Sequence, residues 1–172
     1  MNSNNLSELK SPIAVLGAGN GGLAMAGHLS LMGFEVRLFN RSEERLWGVK
    51  STGEIDVVGE IEGHGNISVA TTSMEEAIEG VELIMIVVPA TAHKWMAKNI
   101  APYLKDGQII VLHPGRTFGA LEFKQVLVSN GVTADVIITV LSLIKSGRFE
   151  ATSISFVISI SADEIPCVSN KS

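Results

Sequence analysis

The stretch AVLGAGNGGLAMAGHL, residues 14–29, decides the fold, because an apolar run breaks into glycines and then turns into a helical pattern. An almost continuously apolar run is typical of a strand that is buried on both faces of a parallel sheet. Glycines that follow it directly indicate a tight turn. The stretch therefore predicts a strand, a glycine turn and a helix in immediate succession.

Further apolar runs rich in Val and Ile recur along the chain. With the first, at 13–17, they are 35–39, 83–88, 108–112 and 135–140. Helical signals stand between and after them, at 23–32, 42–50, 73–79, 91–104 and 118–130. Strands that alternate with helices predict an α/β fold with a doubly wound, mainly parallel sheet.

Acidic residues mark two of the expected helix starts. Ser42 precedes Glu43 and Glu44, and Ser73 with Glu76 has the spacing of a capping box. Neighbouring carboxylates on a helix do not converge on one point, so they make poor acid/base pairs. We therefore expect these residues to cap helices and not to catalyse.

Two segments depart from the alternation. The glycine-punctuated segment 51–72 predicts a small hairpin followed by another sheet strand at 67–70. After residue 140 the sequence is serine-rich, and its SISFVISIS core is compatible with an extra strand. We expect an N-terminal extension at 1–11, a nucleotide-binding domain at 12–140 and an atypical, irregular tail at 141–172.

Composition excludes several classes of function. The net charge of −5 comes without a Lys/Arg-rich block, so we expect no nucleic-acid partner. Cys167 is the only cysteine, which excludes an internal disulfide or a cysteine zinc site. No apolar run reaches the roughly 20 residues that cross a bilayer. Since the N-terminus also lacks the layout of a signal peptide, we expect a cytoplasmic protein without a membrane partner.

The glycine turn matches the pattern G-x-G-x-x-G. It runs Gly17-Ala18-Gly19-Asn20-Gly21-Gly22. In this setting the first glycine permits the tight turn, the second lets a pyrophosphate approach the backbone, and the third allows close packing of helix on strand. The pyrophosphate would lie at the positive end of the helix dipole. The alternative is a tight turn without a ligand, but the strand-turn-helix setting favours a Rossmann-type dinucleotide site.

The end of the second strand indicates which dinucleotide is preferred. NAD sites usually carry Asp or Glu there for the ribose 2′-hydroxyl, whereas this chain has Asn40 and Arg41. Without a carboxylate a 2′-phosphate is not repelled, and Arg41 could pair with it. We expect NADP to be favoured over NAD. The alternative is a solvated Arg41, because NAD sites without the acidic residue also exist.

Two further loops follow strands at the edge where open α/β sheets bind ligands. Pro89 and Ala90, with Thr91, are placed where small residues would let a nicotinamide ribose approach. After the next strand, His113 is a candidate for a proton donor. Gly115 and Arg116 border the same end, with Arg116 as a candidate clamp on a substrate carboxylate. A plain Pro-Gly turn with an exposed arginine remains the alternative.

The other histidines have no sequence partner that suggests a metal site. His28 falls on a helix face, His64 in a glycine-flanked loop and His93 in a first helical turn. Lone histidines in such places are more often structural or solvated than catalytic, so we expect no metal.

Residues 12 to 138 resemble the N-terminal nucleotide-binding domain of the opine (octopine/nopaline) dehydrogenases, relatives of glycerol-3-phosphate dehydrogenase and ketopantoate reductase. The glycine turn carries the resemblance together with IMIVVPATAHKWMAKNIAPYLKDGQIIVLHPGRTFGALEF, in which HPGRTFGA is the more specific part. The resemblance implies an NAD(P)-dependent oxidoreductase that condenses an amino acid with a 2-oxo acid and reduces the imine. It also implies an all-helical C-terminal domain that supplies a catalytic His/Asp pair.

The sequence departs from this family after residue 140, where the serine-rich tail stands in place of the segment leading to the helical domain. We expect the catalytic half to be absent, as in a truncated or frameshifted gene product, which long-range sequencing of the locus tests. Two hypotheses follow: an opine-type enzyme completed by another chain or a homodimer, and a non-catalytic NAD(P)-binding module or sensor. A fragment of a glycerol-3-phosphate dehydrogenase-like or ketopantoate reductase-like enzyme is a further alternative.

Overall fold

The computed structural model describes residues 11–59, 61–115 and 118–140, together with the backbone of 156–160. The strands within these residues are β1 Ile13–Leu16, β2 Val36–Phe39, β3 Glu54–Val57, β4 Gly63–Asn66, β5 Val69–Thr71, β6 Leu83–Val87, β7 Ile109–His113, β8 Val136–Val140 and β9 Phe156–Ile160. The α-helices are α1 Asn20–Leu31, α2 Trp47–Thr52, α3 Met74–Ile78, α4 His93–Ile100 and α5 Gly119–Ser129. Single 3-10 turns lie at Glu43–Arg45, Ala90–Ala92 and Ala101–Tyr103.

The main sheet has the strand order β5-β2-β1-β6-β7-β8-β9. Its first six strands run parallel, and β9 pairs antiparallel with β8. The chain moves outward from β1 to β5 and then returns to the other side of β1 with β6. This is the doubly wound arrangement with a topological switch point between β1 and β6. The expected Rossmann-type α/β fold is confirmed.

The central strand β1 is buried on both faces. Ile13 and Val15 belong to a core that packs beneath α1, while Ala14 and Leu16 belong to a second core that includes residues of α3, α4 and α5. Side chains of a strand alternate between the two faces of the sheet, so a strand covered on both sides needs apolar residues at every position. This burial explains the unbroken apolar run from which the fold was predicted.

The expected hairpin in 51–72 is formed by β3 and β4, which pair as a separate two-stranded sheet against α1. The hairpin lies so close to α1 that side chains at two glycines would clash. A Cβ at Gly27 would lie 2.6 Å from Cγ2 of Val57, and a Cβ at Gly65 would lie 2.7 Å from the Gly27 carbonyl oxygen. The two glycines therefore let the hairpin approach the helix backbone. The predicted strand at 67–70 is present as Val69–Thr71.

The two expected helix caps differ in outcome. Ser73 accepts a hydrogen bond from the Glu76 backbone N–H at 3.3 Å, so that cap is confirmed. Ser42 precedes a single 3-10 turn and makes no side-chain cap; its Oγ accepts from Nδ2 of Asn40 instead. The predicted helix at 42–50 is divided into a 3-10 turn and α2, and the Ser42 side chain contacts Asn40 of the same loop in place of capping a helix.

The tail expectation is tested only at 156–160, where the backbone forms β9. The compatibility of SISFVISIS with an extra strand is thereby confirmed, while the rest of 141–172 lies outside the described residues. Among the helices that the structure describes, none has the length and apolarity needed to cross a membrane.

Candidate functional site

The first glycine of the turn closes β1 against the end of β6, at the switch point of the sheet. Gly17 has φ +122°, a conformation that side-chain-bearing residues rarely adopt. A Cβ on it would collide with the Val87 carbonyl oxygen and lie 2.7 Å from Cγ1 of Val88. Only glycine satisfies both the turn and the contact between the two strand ends.

The third glycine seats α1 on this turn. A Cβ at Gly22 would overlap the carbonyl oxygen of Gly17, which is backbone and has no room to move away. The first turn of α1 therefore rests directly on the end of β1. This contact is the close helix-on-strand packing expected from the sequence.

The second glycine faces open space. No atom of the described residues lies within 4 Å of a Cβ built on Gly19, and its φ of −80° and ψ of 179° are ordinary extended values. No side chain caps α1, and its first internal bond runs from the Leu23 N–H to the Gly19 carbonyl. The N–H groups of Asn20 and Gly21 are thus left without an acceptor inside the helix and can bind an anion.

A cleft of about 390 Å³ opens beside the glycine turn. The ends of β1 and β2 form one wall, and the segment after β6 forms the other. The lining residues are Gly17, Phe39, Asn40, Arg41, Val88, Pro89, Thr91, Ala92, Trp95 and Met96. The structure thus brings together five residues that were predicted from three separate segments, namely Gly17, Asn40, Arg41, Pro89 and Thr91. Ala90 lies in the 3-10 turn of the same loop but does not line the cleft.

The side-chain amide of Asn40 is hydrogen-bonded to other groups of the protein. Its Oδ1 accepts from the Ala18 N–H at 3.1 Å, and its Nδ2 donates to the carbonyl oxygen and Oγ of Ser42, both at 3.0 Å. The side chain therefore ties the glycine turn to the loop after β2. Ala18 itself is fully buried, and Asn40 supplies the acceptor that its N–H needs.

Arg41 reaches across the cleft towards α4. Its guanidinium carbon lies 5.7 Å from the centre of the Trp95 ring, within the range of a cation–π contact. The sequence prediction included Arg41 but missed Trp95. An aromatic residue in the first turn of the helix that follows a sheet strand was the available signal, but nothing in the sequence shows that it meets the end of β2.

His113 ends β7 and pairs in register with Val87 on β6, which places it at the same edge of the sheet. It is half-buried, its Nδ1 has no hydrogen-bond partner among the described residues, and desolvation by burial lowers its pKa. A neutral imidazole at pH 7 accepts a proton more readily than it donates one. Gly115 follows closely, and a Cβ there would overlap Val140 of β8. Arg116 lies outside the described residues, and its role stays a prediction.

His93, expected to be structural or solvated, is buried at the start of α4, with 2% of its surface exposed. Burial lowers its pKa; a hydrogen bond with the Val88 backbone and the charge of Glu122 act in the opposite direction. Within the part of the chain that the structure describes, its Nε2 has no hydrogen-bond partner. His64 instead lies exposed on the hairpin, 2.7 Å from the Asp56 carboxylate. In the described part of the chain, no group of three or more His, Cys, Asp or Glu side chains could hold a metal ion.

Comparison with known proteins places this geometry in a family context. A family model for the NAD-dependent glycerol-3-phosphate dehydrogenase N-terminus matches residues 12–142. The opine dehydrogenase of Arthrobacter sp. is 40% identical over 119 residues, which are 69% of this chain and 33% of that protein. The glycerol-3-phosphate dehydrogenase of Moorella thermoacetica is 33% identical over 131 residues, covering 72% of this chain and 38% of the relative.

Among solved structures, octopine dehydrogenase bound to NADH and L-arginine aligns with a TM-score of 0.69 at 23% identity. The alignment covers 88% of this chain and 42% of that one. The chain therefore spans about a third of the two curated relatives and under half of the solved structure. These matches confirm the resemblance to opine and glycerol-3-phosphate dehydrogenases that residues 12 to 138 carry.

Proposed function

Because the chain belongs to the NAD-dependent glycerol-3-phosphate dehydrogenase N-terminus family, we propose that residues 12–140 bind an NAD(P) cofactor at the glycine turn. The observation that carries the proposal is the open space at Gly19, directly before the uncapped N-terminus of α1. Backbone N–H groups at that position suit the negative charge of a pyrophosphate. The adjacent 390 Å³ cleft would take the adenosine half.

Isothermal titration calorimetry with NADPH and with NADH tests this proposal. We expect the purified chain to bind NADPH, and NADH more weakly. Heat from neither dinucleotide at millimolar concentration would refute cofactor binding. A protein that binds both equally would support the site but not the preference.

The preference for NADP depends on Arg41. Within the described residues no carboxylate pairs with its guanidinium, so the charge is available to a 2′-phosphate. Arg41→Ala should weaken NADPH by roughly tenfold or more, as expected for a charge-assisted contact, and leave NADH nearly unchanged. Arg45→Ala is the matched control, since Arg45 is an exposed arginine of the neighbouring 3-10 turn and does not line the cleft. Equal losses for both dinucleotides would show that Arg41 does not read the phosphate.

As the activity of the completed protein we propose an opine-type reduction. An amino acid and a 2-oxo acid would lose water to form an imine, whose carbon would take a hydride from the reduced nicotinamide while its nitrogen gains a proton. His113 would hold that proton, with Gly115 and Arg116 beside the substrate. The missing catalytic groups would come from a helical catalytic domain in another chain or from the second subunit of a homodimer.

A second candidate is a non-catalytic NAD(P)-binding module. The observation that favours it is the lowered pKa of His113, which keeps the ring unprotonated at neutral pH and leaves it poor as a proton donor. An assay of NADPH oxidation with 2-oxo acids and amino acids, run on the chain alone and with a separately expressed helical domain of an opine-type relative, distinguishes the two functions. Turnover that is lost in His113→Ala would favour the enzyme, and cofactor binding without turnover in either assay would favour the module.

A further inference from the structure

The contact between Arg41 and Trp95 joins the two walls of the cleft. Arg41 follows β2 and is exposed, whereas Trp95 lies in α4 and is partly buried against the core that α4 shares with α3 and α5. The guanidinium carbon stands 5.7 Å from the ring centre. A flexible arginine is thus held against a ring that is itself fixed by packing.

Such an arrangement prepares the arginine for a phosphate. A guanidinium that lies over a ring can still direct its N–H groups outward, where they match the oxygens of a phosphate. Because its rotamers are already restricted, less side-chain entropy is lost when the anion binds. A free Arg41 would pay this ordering cost at the moment of binding.

We propose that Trp95 is a positioning residue that determines cofactor preference, by holding Arg41 where it meets a phosphate on the adenosine ribose. The proposal rests on the proposed function of the same cleft. It assigns the discrimination between NADP and NAD to two residues from opposite walls of the cleft. Arg41 contacts the phosphate, and Trp95 does not. The ligand class is an adenosine nucleotide with a 2′-phosphate.

The neighbouring residues support a role in positioning. Asn40 is already occupied by Ala18 and Ser42 and has no free donor to offer a phosphate. Arg37 is also excluded, since its Nη1 donates to the carbonyl oxygens of Glu76 and Glu79 at the end of α3. Arg41 is therefore the arginine of this region that lines the cleft, and Trp95 is the side chain that holds it.

The test compares adenosine 2′,5′-bisphosphate with adenosine 5′-monophosphate by calorimetry, which needs no catalytic activity. Trp95→Leu should weaken the bisphosphate by about tenfold and the monophosphate by less than about twofold, which lowers the ratio of the two affinities. Trp95→Phe should retain most of this ratio, because a smaller ring still supports a cation. Trp47→Phe is the matched control, since Trp47 is 73% exposed on α2. Thermal unfolding of each variant establishes that it folds.

Fluorescence gives a second readout that loss of packing alone would not produce. In Trp47→Phe protein the remaining tryptophan is Trp95. Binding of the bisphosphate should change its emission, because the phosphate charge partly neutralises the guanidinium that lies over the ring, and Arg41→Ala should abolish the change. The inference is overturned if both nucleotides lose affinity equally in Trp95→Leu, which would assign the ring to adenine or to the fold, or if neither loses any. Wild-type protein that binds neither nucleotide would overturn the proposed function and this inference with it.

Discussion

The side-chain oxygen of Asn40 accepts a hydrogen bond from the backbone N–H of Ala18, with 3.1 Å between the two atoms. Ala18 lies inside the glycine turn, and Asn40 comes 22 residues later at the end of β2. The side-chain nitrogen Nδ2 of Asn40 donates to the carbonyl oxygen and Oγ of Ser42. One residue therefore fixes the position of the glycine turn relative to the loop that carries Arg41.

Replacing Asn40 should loosen this connection. Asn40→Ala leaves the buried Ala18 N–H without an acceptor and should lower the free energy of unfolding by roughly 1–3 kcal/mol in urea denaturation. Asn40→Asp keeps the acceptor but cannot donate to Ser42 and adds a negative charge, so NADPH should lose more affinity than NADH. Asn66→Ala, on the exposed edge of the hairpin, is the control. Unchanged stability in Asn40→Ala would contradict the structural role.

Substitution of two glycines of the same turn should affect different properties, stability at Gly22 and dinucleotide binding at Gly19. Gly22→Ala forces a methyl group onto the Gly17 carbonyl and should destabilise the fold by at least about 2 kcal/mol. A Cβ at Gly19 meets no atom of the described residues within 4 Å, so Gly19→Val should change the stability by less than about 1 kcal/mol, while it abolishes dinucleotide binding. Gly48→Val is the matched control, since a Cβ at Gly48 on α2 also meets nothing within 4 Å. Full NADPH affinity in Gly19→Val would place the pyrophosphate elsewhere.

Stability should depend on pH through His93. Burial lowers its pKa in the folded state below the ordinary value of 6.5, so the unfolded chain binds more protons as the solution becomes acidic. The contribution of His93 to the free energy of unfolding should be complete above pH 6.5 and should be lost as the pH drops below that value. His113 adds a contribution of the same sign.

Urea denaturation between about pH 8 and about pH 5 measures this dependence. His93→Gln should show a shallower loss of stability on acidification than the wild type, with part of the slope left to His113. The difference between variant and wild type at about pH 8 gives the packing cost of the substitution alone. An equally steep loss in the variant would mean that His93 does not titrate as its burial requires.

A polypeptide of these 172 residues should bind NADPH without turning it over. Reduction of an imine needs a proton donor and a closed, dry pocket, whereas the described residues form an open cleft, and the half-buried His113 at the end of β7 has a lowered pKa. NADPH oxidation with a panel of 2-oxo acids and amino acids should therefore equal the background rate. Activity by the isolated chain, lost in His113→Ala, would show that these residues contain the catalytic groups.

The sequence predicted the sheet well because its strands are buried on both faces. Burial of this kind demands apolar residues at successive positions, and β1 shows them at each of its four. The structural roles of Gly17 and Gly22 were also predictable from the sequence, because the tight turn and the close packing of helix on strand require glycine at these two positions. Local capping was less predictable: Ser73 caps α3, whereas Ser42 binds Asn40.

By itself the sequence determined the order of strands and helices, the glycine turn and the family resemblance, because each depends on residues that are neighbours along the chain. Only the tertiary structure decided which residues from distant segments meet. Arg41 and Trp95 are separated by 54 positions, and His93 became buried because α4 packs beside α5. Such contacts depend on the crossing of whole elements over the sheet, and no local pattern of residues records where two elements will touch.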